Sequence, residues 1–304
     1  MLSILIPVYN QLIKELVCNL HGQLTKGVFP FEIILGDDAS DLEYSQSNEK
    51  LTELTNVCYF KTEQNWGRAK MRNLLASQAQ FDYLIFIDCD ANIIEDNYIN
   101  AYLKAIEKYN SSCFLVNGGT AYRKEKPISD YRLRWHYGRK REQIPAEIRE
   151  KKPYKSFTPF NVLISKSVFQ ILAFDESIVS YGNEDTLFGN ELQKRNIPIF
   201  HINNPLYHDG LEPNALFLQK TETAIDNLVK LWHQQKIDDT FIQNHRLFST
   251  YLSCRKSKIL LGGITLFFKI HKTLLKKLLT KVPSLFWFDI YKLGYLVREL
   301  CFLT

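Results

Sequence analysis

The 304-residue chain has six cysteines but no CxxC pair: Cys18, Cys58, Cys89, Cys113, Cys254 and Cys301 are scattered without regular spacing. That argues against a cysteine-built zinc site and a disulfide framework, and fits thiols in a reducing cytosol. Both common phosphate-cradling loops are missing. A dinucleotide fold needs GxGxxG after its first strand, yet here that turn reads PVYNQ, the first glycine is Gly22, and no GxxxxGK[ST] occurs. If the chain binds a nucleotide, another device must neutralise the phosphates. The longest uncharged stretch near the C-terminus, ILLGGITLFF (259–268), has ten residues, well short of the about 20 needed to span a bilayer. No repeat or low-complexity tract is present, and MLSILIPVYN reads as entering a strand directly, so no signal peptide is expected.

What is there is a globular composition: 45% hydrophobic and 13% aromatic residues can build a sizeable core. The net charge of +5 hides an asymmetry. Residues 1–229 hold 25 Lys and Arg against 29 Asp and Glu, a net of −4, while residues 230–304 hold 13 against 4, a net of +9. An acidic body with a greasy basic tail argues against a nucleic-acid partner.

Short apolar runs alternate with helical spacing. SILIP (3–7), FEIIL (31–35), VCYF (57–60) and YLIFI (83–87) read as strands covered on both faces. Residues 11–25, 41–54 and 68–79 read as the helices between them, as in βαβ units. The expected fold class is α/β, a Rossmann-like, mostly parallel sheet with a site at the carboxyl ends of its strands. Residues 121–158 read as a polar, basic and aromatic excursion with one helical piece, a candidate lid or acceptor surface. Then come a strand entering a helix (159–169), a helix (181–196), a strand (197–202) and a loop (203–211), and helices from 213 onward.

The fourth strand ends in FIDCD (86–90). In an extended chain Asp88 and Asp90 project to one side, and two oxygens there suit a hard cation, Mn2+ or Mg2+. An acid-x-acid pair alone is a weak signal, since a strand can simply end in acids. GDDAS (36–40) adds an acidic pair on the same edge, with Asp38 available to a base or ribose hydroxyl and Ser40 to cap the next helix. NWGRAKMRN (65–73) puts two arginines four apart on one helix face, either solvated or turned to a ligand. In YGNED (181–185), Glu184 and Asp185 open a helix, where its dipole favours acids and where a carboxylate could serve as a general base. His208, beside Asp209, is either a structural imidazole or a ligand that Mn2+ accepts beside carboxylates.

Taken in order, SILIPVYN, GDDAS, NWGRAKMRN, FIDCD, YGNEDTLFGNEL and NPLYHDGL resemble glycosyltransferase family 2, over about residues 2–235. The likeness is to bacterial members of the chondroitin-polymerase and polypeptide N-acetylgalactosaminyltransferase type. FIDCD corresponds to the family's DxD and YGNED to its W-G-x-E-D element, with Tyr181 in place of Trp. The resemblance implies a GT-A fold over residues 1–235, with a nucleotide-binding half (1–120) and an acceptor half (121–235), followed by a helical extension (236–304). It implies an inverting, metal-dependent transfer from a nucleotide-diphosphate sugar, by family habit a UDP-sugar, to a glycan or lipid-linked acceptor in surface polysaccharide synthesis. Carried over, Pro7, Tyr9, Asp38, Arg72 and Asp88 hold the nucleotide sugar. Asp90 and His208, with Asp88 in the shell, hold Mn2+ or Mg2+; Asp185 is the catalytic base and Glu184 binds acceptor or sugar hydroxyls.

The tail, RKSKILLGGITLFFKIHKTLLKKLLTK (255–281), spaces lysines and apolar residues helically. Such a helix suits an anionic membrane surface, or packs on the catalytic domain with its lysines solvated. The expectation is a cytoplasmic protein, peripheral on the inner face of the cell membrane. Two alternatives stand beside the transferase: a sugar nucleotidyltransferase, whose glycine-rich basic loop IPVYNQ does not supply, and a glycan- or nucleotide-sugar-binding module without catalysis, against which the intact acid pairs argue.

Overall fold

The structure is a computed structural model that describes all residues except 110, 111, 179, 180, 303 and 304, and the side chains of 301 and 302. The near-continuous apolar runs become strands: β1 (Leu2–Val8), β2 (Phe31–Asp37), β3 (Val57–Lys61) and β4 (Tyr83–Ile87). Helices α1 (Lys14–Leu24), α2 (Leu42–Glu49, continued by a 3-10 turn) and α3 (Arg68–Gln78) cross over between them. All four strands are parallel. Then follow β5 (Ala91–Asn92), α4 (Tyr98–Tyr109), β6 (Leu115–Asn117), β7 (Thr120–Ala121), α5 (Arg132–Tyr137), α6 (Ala146–Arg149), β8 (Asn161–Ser165), α7 (Glu184–Lys194), β9 (Ile199–His201) and β10 (Leu206–His208).

The main sheet has the order β3-β2-β1-β4-β8-β6-β9, with β8 antiparallel to β4 and β6, and a small sheet has the order β5-β10-β7. It is the expected mixed, mostly parallel α/β sheet. Strand order reverses between β1 and β4, so the crevice for a ligand opens at their carboxyl ends. One core lies between the sheet and α1 and α4. Another fills the opposite face, under α3 and α7.

Three expectations need correction. Residues 121–158 are not one loose excursion with a single helical piece. They hold α5, a π-helical turn (Gly138–Glu142), α6 and two 3-10 turns. Leu133, Trp135 and Phe157 are buried, and Arg149 donates to the carbonyls of Asn117, Gly118 and Ile202. Ser40 does not cap α2: its Oγ accepts from the Asn10 N–H at 2.9 Å, and the residue before α2 is Asp41. Residues 203–211 are not all loop, since β10 runs through them and pairs with both β5 and β7.

The chain ends in α8 (Asn214–His233), α9 (Asp239–Asn244), α10 (Arg246–Arg255), α11 (Lys258–Lys281) and α12 (Leu285–Phe302). These helices share a third core, including Phe217, Phe241, Phe268, Leu279 and Tyr291. One face of the basic tail is therefore packed on the body. The opposite face of α11 leaves Ile259, Leu266, Ile270 and Leu274 exposed. Among the described residues, no helix is long and apolar enough to cross a membrane.

Candidate active site

A cavity of about 460 Å³ opens at the ends of β1, β2 and β4, walled by the start of α7 and the loop after β10. Pro7, Tyr9, Asp38, Asp88, Asp90 and Glu184 all line it, as do Arg68, Tyr181 and Lys220. Arg72, Asp185 and His208 stand outside this lining. Six buried side-chain polar atoms among the described residues belong to Arg72 (two), Asp90, Glu184, Asn190 and His208 and lack a hydrogen-bond partner. All but the one on Asn190 belong to residues of the predicted site. Buried polar groups are normally satisfied, so this concentration marks a place built for a ligand.

Asp38 is buried, and its carboxylate accepts from the backbone N–H groups of Trp66 (2.6 Å) and Gly67 (2.9 Å). It thereby pins the turn that starts α3, where Gly67 has a φ of 84°. The two arginines of α3 part company. Arg72 is 1% exposed; it donates to Asp88 Oδ1 at 2.8 Å and lies 3.7 Å from Glu184 Oε1. Arg68 instead lines the cavity, its guanidinium 5.0 Å from the centre of the Tyr181 ring. Lys220 approaches the same ring at 5.3 Å.

Asp88 and Asp90 are not on an extended strand. β4 stops at Ile87 and the chain turns, with the Ala91 N–H donating to the Asp88 carbonyl at 3.0 Å. Asp88 turns to Arg72. Burial would raise its pKa, but Arg72 and Arg68 outweigh burial and hold it below its ordinary value. Asp90 turns to His208, with Oδ2 3.6 Å from Nε2. Burial, followed by Asp90, pushes the Cys89 thiol between them up to about 12, so no thiolate forms there at neutral pH.

His208 is fixed by its neighbours. Its imidazole stacks on Tyr122 (5.5 Å) and Phe160 (5.2 Å). Arg134 Nη2 lies 3.1 Å from Nε2, and an arginine can only donate, so Nε2 carries a lone pair. Arg134 fills that lone pair, with the Asp90 carboxylate 3.6 Å away, so a cation placed between Nε2 and Asp90 would take over the position of the Arg134 N–H. Asp90 Oδ1 is also buried and unpartnered. A Cβ on Gly210 would meet the Asp90 carboxylate, so any larger residue there would push that side chain aside. Asp209 anchors this loop through two bonds from Arg123, at 2.8 and 2.6 Å. Asp90 and His208 thus fit a divalent ion. Asp88 is paired with Arg72, and among the described residues no three His, Cys, Asp or Glu side chains converge as a metal set.

The acid pair of α7 is held by unusual backbone. Gly182 (φ 102°) and Asn183 (φ 75°) precede it, and Asn183 Nδ2 donates to the Ala224 carbonyl at 2.7 Å. A Cβ on Gly182 would strike Ala224. Glu184 faces the cavity. Asp185 is pushed up to about 6, by burial first and by the adjacent Glu184 second.

The sequence profile described as Glycosyl transferase family 2 matches residues 3–172, more than half of the chain. The chain belongs to glycosyl transferase family 2. That match spans β1 to β8, and so covers Asp38, Arg72, Asp88 and Asp90 but stops short of Glu184, Asp185 and His208. Among curated proteins, this family 2 chain is similar to the poly(ribitol-phosphate) beta-N-acetylglucosaminyltransferase TarS of Staphylococcus aureus, 29% identical over 118 residues, 38% of this chain and 20% of TarS. It is similar to the chondroitin synthase of Escherichia coli, 23% identical over 287 residues, 83% of this chain and 40% of that protein. The chain therefore spans less than half the length of the curated relatives it matches. Among solved structures, S. aureus TarS 1-349 in complex with UDP aligns over 100% of this chain and 92% of that one, with a TM-score of 0.54 and 19% identity. The mannosyltransferase PcManGT of Pyrobaculum calidifontis, in complex with GDP-Man and Mn2+, aligns over 98% of this chain and 86% of that one, with a TM-score of 0.60 and 11% identity. These likenesses identify the fold as GT-A.

Sequence reasoning named the acids and passed over several of their neighbours. Arg134 and Glu142 sit in the basic excursion, where nothing in the local pattern marks them. Lys220 reads as an ordinary lysine of α8. Arg68 carried a signal, its spacing from Arg72, but the pattern could not say which of the two reaches the cavity.

Proposed function

We propose that this family 2 protein is an inverting glycosyltransferase that moves a hexosyl or N-acetylhexosaminyl group from a UDP-sugar to a glycan or lipid-linked acceptor in surface polysaccharide synthesis. The observation that carries the reading is the set of unsatisfied buried groups on Arg72, Asp90, Glu184 and His208 around one crevice at the strand-order reversal. One relative adds support in two ways. TarS is named for N-acetylglucosaminyl transfer, and TarS 1-349 has been solved with UDP-GlcNAc.

In this reading Pro7, Tyr9 and Asp38 line the pocket for the base and ribose, and Arg68 faces the diphosphate. A divalent ion, Mn2+ or Mg2+, held by Asp90 and His208, would supply Lewis-acid stabilisation of the departing diphosphate. Arg72 keeps Asp88 ionised and in place. The acceptor hydroxyl oxygen forms the new bond to the anomeric carbon as the bond to the diphosphate oxygen breaks, and the electron pair leaves with UDP. Asp185 takes the hydroxyl proton. A pKa near 6 suits a general base, because the group is ionised at neutral pH yet still basic enough to accept. Glu184, with Oε2 free, is available to a sugar hydroxyl.

The test is UDP release from a panel of UDP-sugars, with and without Mn2+. Release that needs the metal and falls about 10²-fold or more in Asp185→Asn, with donor affinity preserved, supports the assignment. Lost donor affinity with intact turnover puts the base elsewhere, and no release from any donor leaves a binding module.

We also propose that the protein sits peripherally on the inner face of the cell membrane. Ile259, Leu266, Ile270 and Leu274 are exposed on one stripe of α11, among Lys258, Lys269 and Lys277. Each lysine near an anionic surface adds about 1 kcal/mol to the apolar term.

A further inference from the structure

A second cavity, of about 770 Å³, lies between α8, α10, α12 and the turn that follows α5. It meets the donor cavity at Tyr181, which lines both. Asn183, directly before the Glu184–Asp185 pair, also lines it. The second hollow therefore reaches the start of the helix that carries the proposed base.

Its walls have two characters. Phe217, Leu228, Phe286 and Phe288 give it an apolar floor. Lys140, Arg141, Lys155, Arg246 and Lys292 give it a basic rim. Two carboxylates line it, and both are already engaged. Glu142 pairs with Arg134 at 2.9 Å, and Asp289 pairs with Arg141 (2.7 Å) and Lys292 (3.0 Å). Lys140, Lys155 and Arg246 have no ion-pair partner among the described residues.

The cations also crowd one another. Lys155 is pulled down by burial and then by Lys152 and Arg246. Lys292 is pulled down by burial, and Asp289 recovers only part of that against Arg141 and Arg246. Lys140, Lys155 and Arg246 are each exposed, and exposure alone tells nothing of a ligand. Here they converge on one hollow with an aromatic floor, where an unmatched positive field can be relieved by an incoming anion.

We propose that this second cavity receives the acceptor, and that the acceptor carries a phosphate or carboxylate held at the rim while its less polar part lies on the aromatic floor. This rests on the transferase reading, and it narrows that reading to anionic acceptors.

The test uses the full chain and three probes below their micelle concentrations: n-decyl phosphate, decanoate and uncharged n-decyl maltoside, each titrated by calorimetry. UDP release without acceptor is followed in parallel. The anionic probes should bind saturably and more weakly in high salt. Lys155→Glu/Arg246→Glu should weaken them about tenfold or more, while decyl maltoside changes little. Both positions are exposed and outside the donor cavity, so UDP release should not change. Decyl phosphate binding about tenfold tighter than decanoate assigns a phosphate-bearing acceptor, and comparable binding assigns an acidic glycan. Equal binding of all three probes, or anion binding that ignores the substitutions, overturns the inference. UDP release with no anion binding overturns this inference alone; anion binding with no UDP release from any donor overturns the transferase reading instead.

Discussion

Replacing Glu184 with Gln should move the acid limb of the turnover profile to lower pH. In the wild type, burial first and the Glu184 carboxylate second push Asp185 from its ordinary 3.8 up to about 6. A base with that pKa is half ionised at about pH 6 and about nine-tenths ionised at pH 7. Turnover should therefore plateau above neutrality and fall about tenfold per unit below about pH 6. The amide keeps the side chain's shape and its place 3.7 Å from Arg72, but it removes the like charge. Asp185 then ionises more readily. Burial remains and is the larger cause, so the limb stops short of 3.8. Like charges in a partly solvated cleft give shifts of about half to one unit. The assay is single-turnover UDP release at saturating donor and acceptor across the acid range, which keeps product release from masking the limb. A limb that stays put, or moves to higher pH, refutes the argument that these two acids share one electrostatic environment with Asp185 as the base.

Arg72→Met should cost about 3–5 kcal/mol in urea unfolding, because it strands the Asp88 carboxylate beside Glu184, and adding Asp88→Asn should recover most of it. Asp88 is held low in the fold, so it stabilises above its unfolded pKa and ceases to do so as pH falls. Without Arg72, Arg68 still opposes burial but less is left to hold Asp88 low, so the gap to wild type should narrow as pH falls below about 4; a constant gap sinks the account. Gly210→Ala should leave folding intact but displace the Asp90 carboxylate, weakening the Mn2+ response of UDP release; an unchanged metal titration places the ion elsewhere. Leu266→Glu/Ile270→Glu should abolish flotation with phosphatidylglycerol vesicles, and a wild type that does not float ends the membrane proposal.

The first 87 residues were legible because their strands are covered on both faces and read as unbroken apolar runs, with helical spacing between them. The excursion was not. α5 and α6 span six and four residues, too few for a period to show, and long-range bonds hold the segment in place. Trp135 Nε1 donates to the Arg123 carbonyl at 2.9 Å, and the Arg149 clamp reaches back to β6. The DCD pair suggested a strand because acids two apart alternate like one, and only the turn to Arg72 on one side and His208 on the other separates them. His208 reads as loop because β10 is three residues long and exists through its pairing. The glycine and asparagine before Glu184 were visible as letters, but their positive φ angles were not.

One ring, that of Tyr181, is a party wall between the two hollows. A change of size at Tyr181 alters the lining of both hollows at once. With donor and acceptor assigned to the two hollows as proposed, a library built at this position should show both preferences changing together.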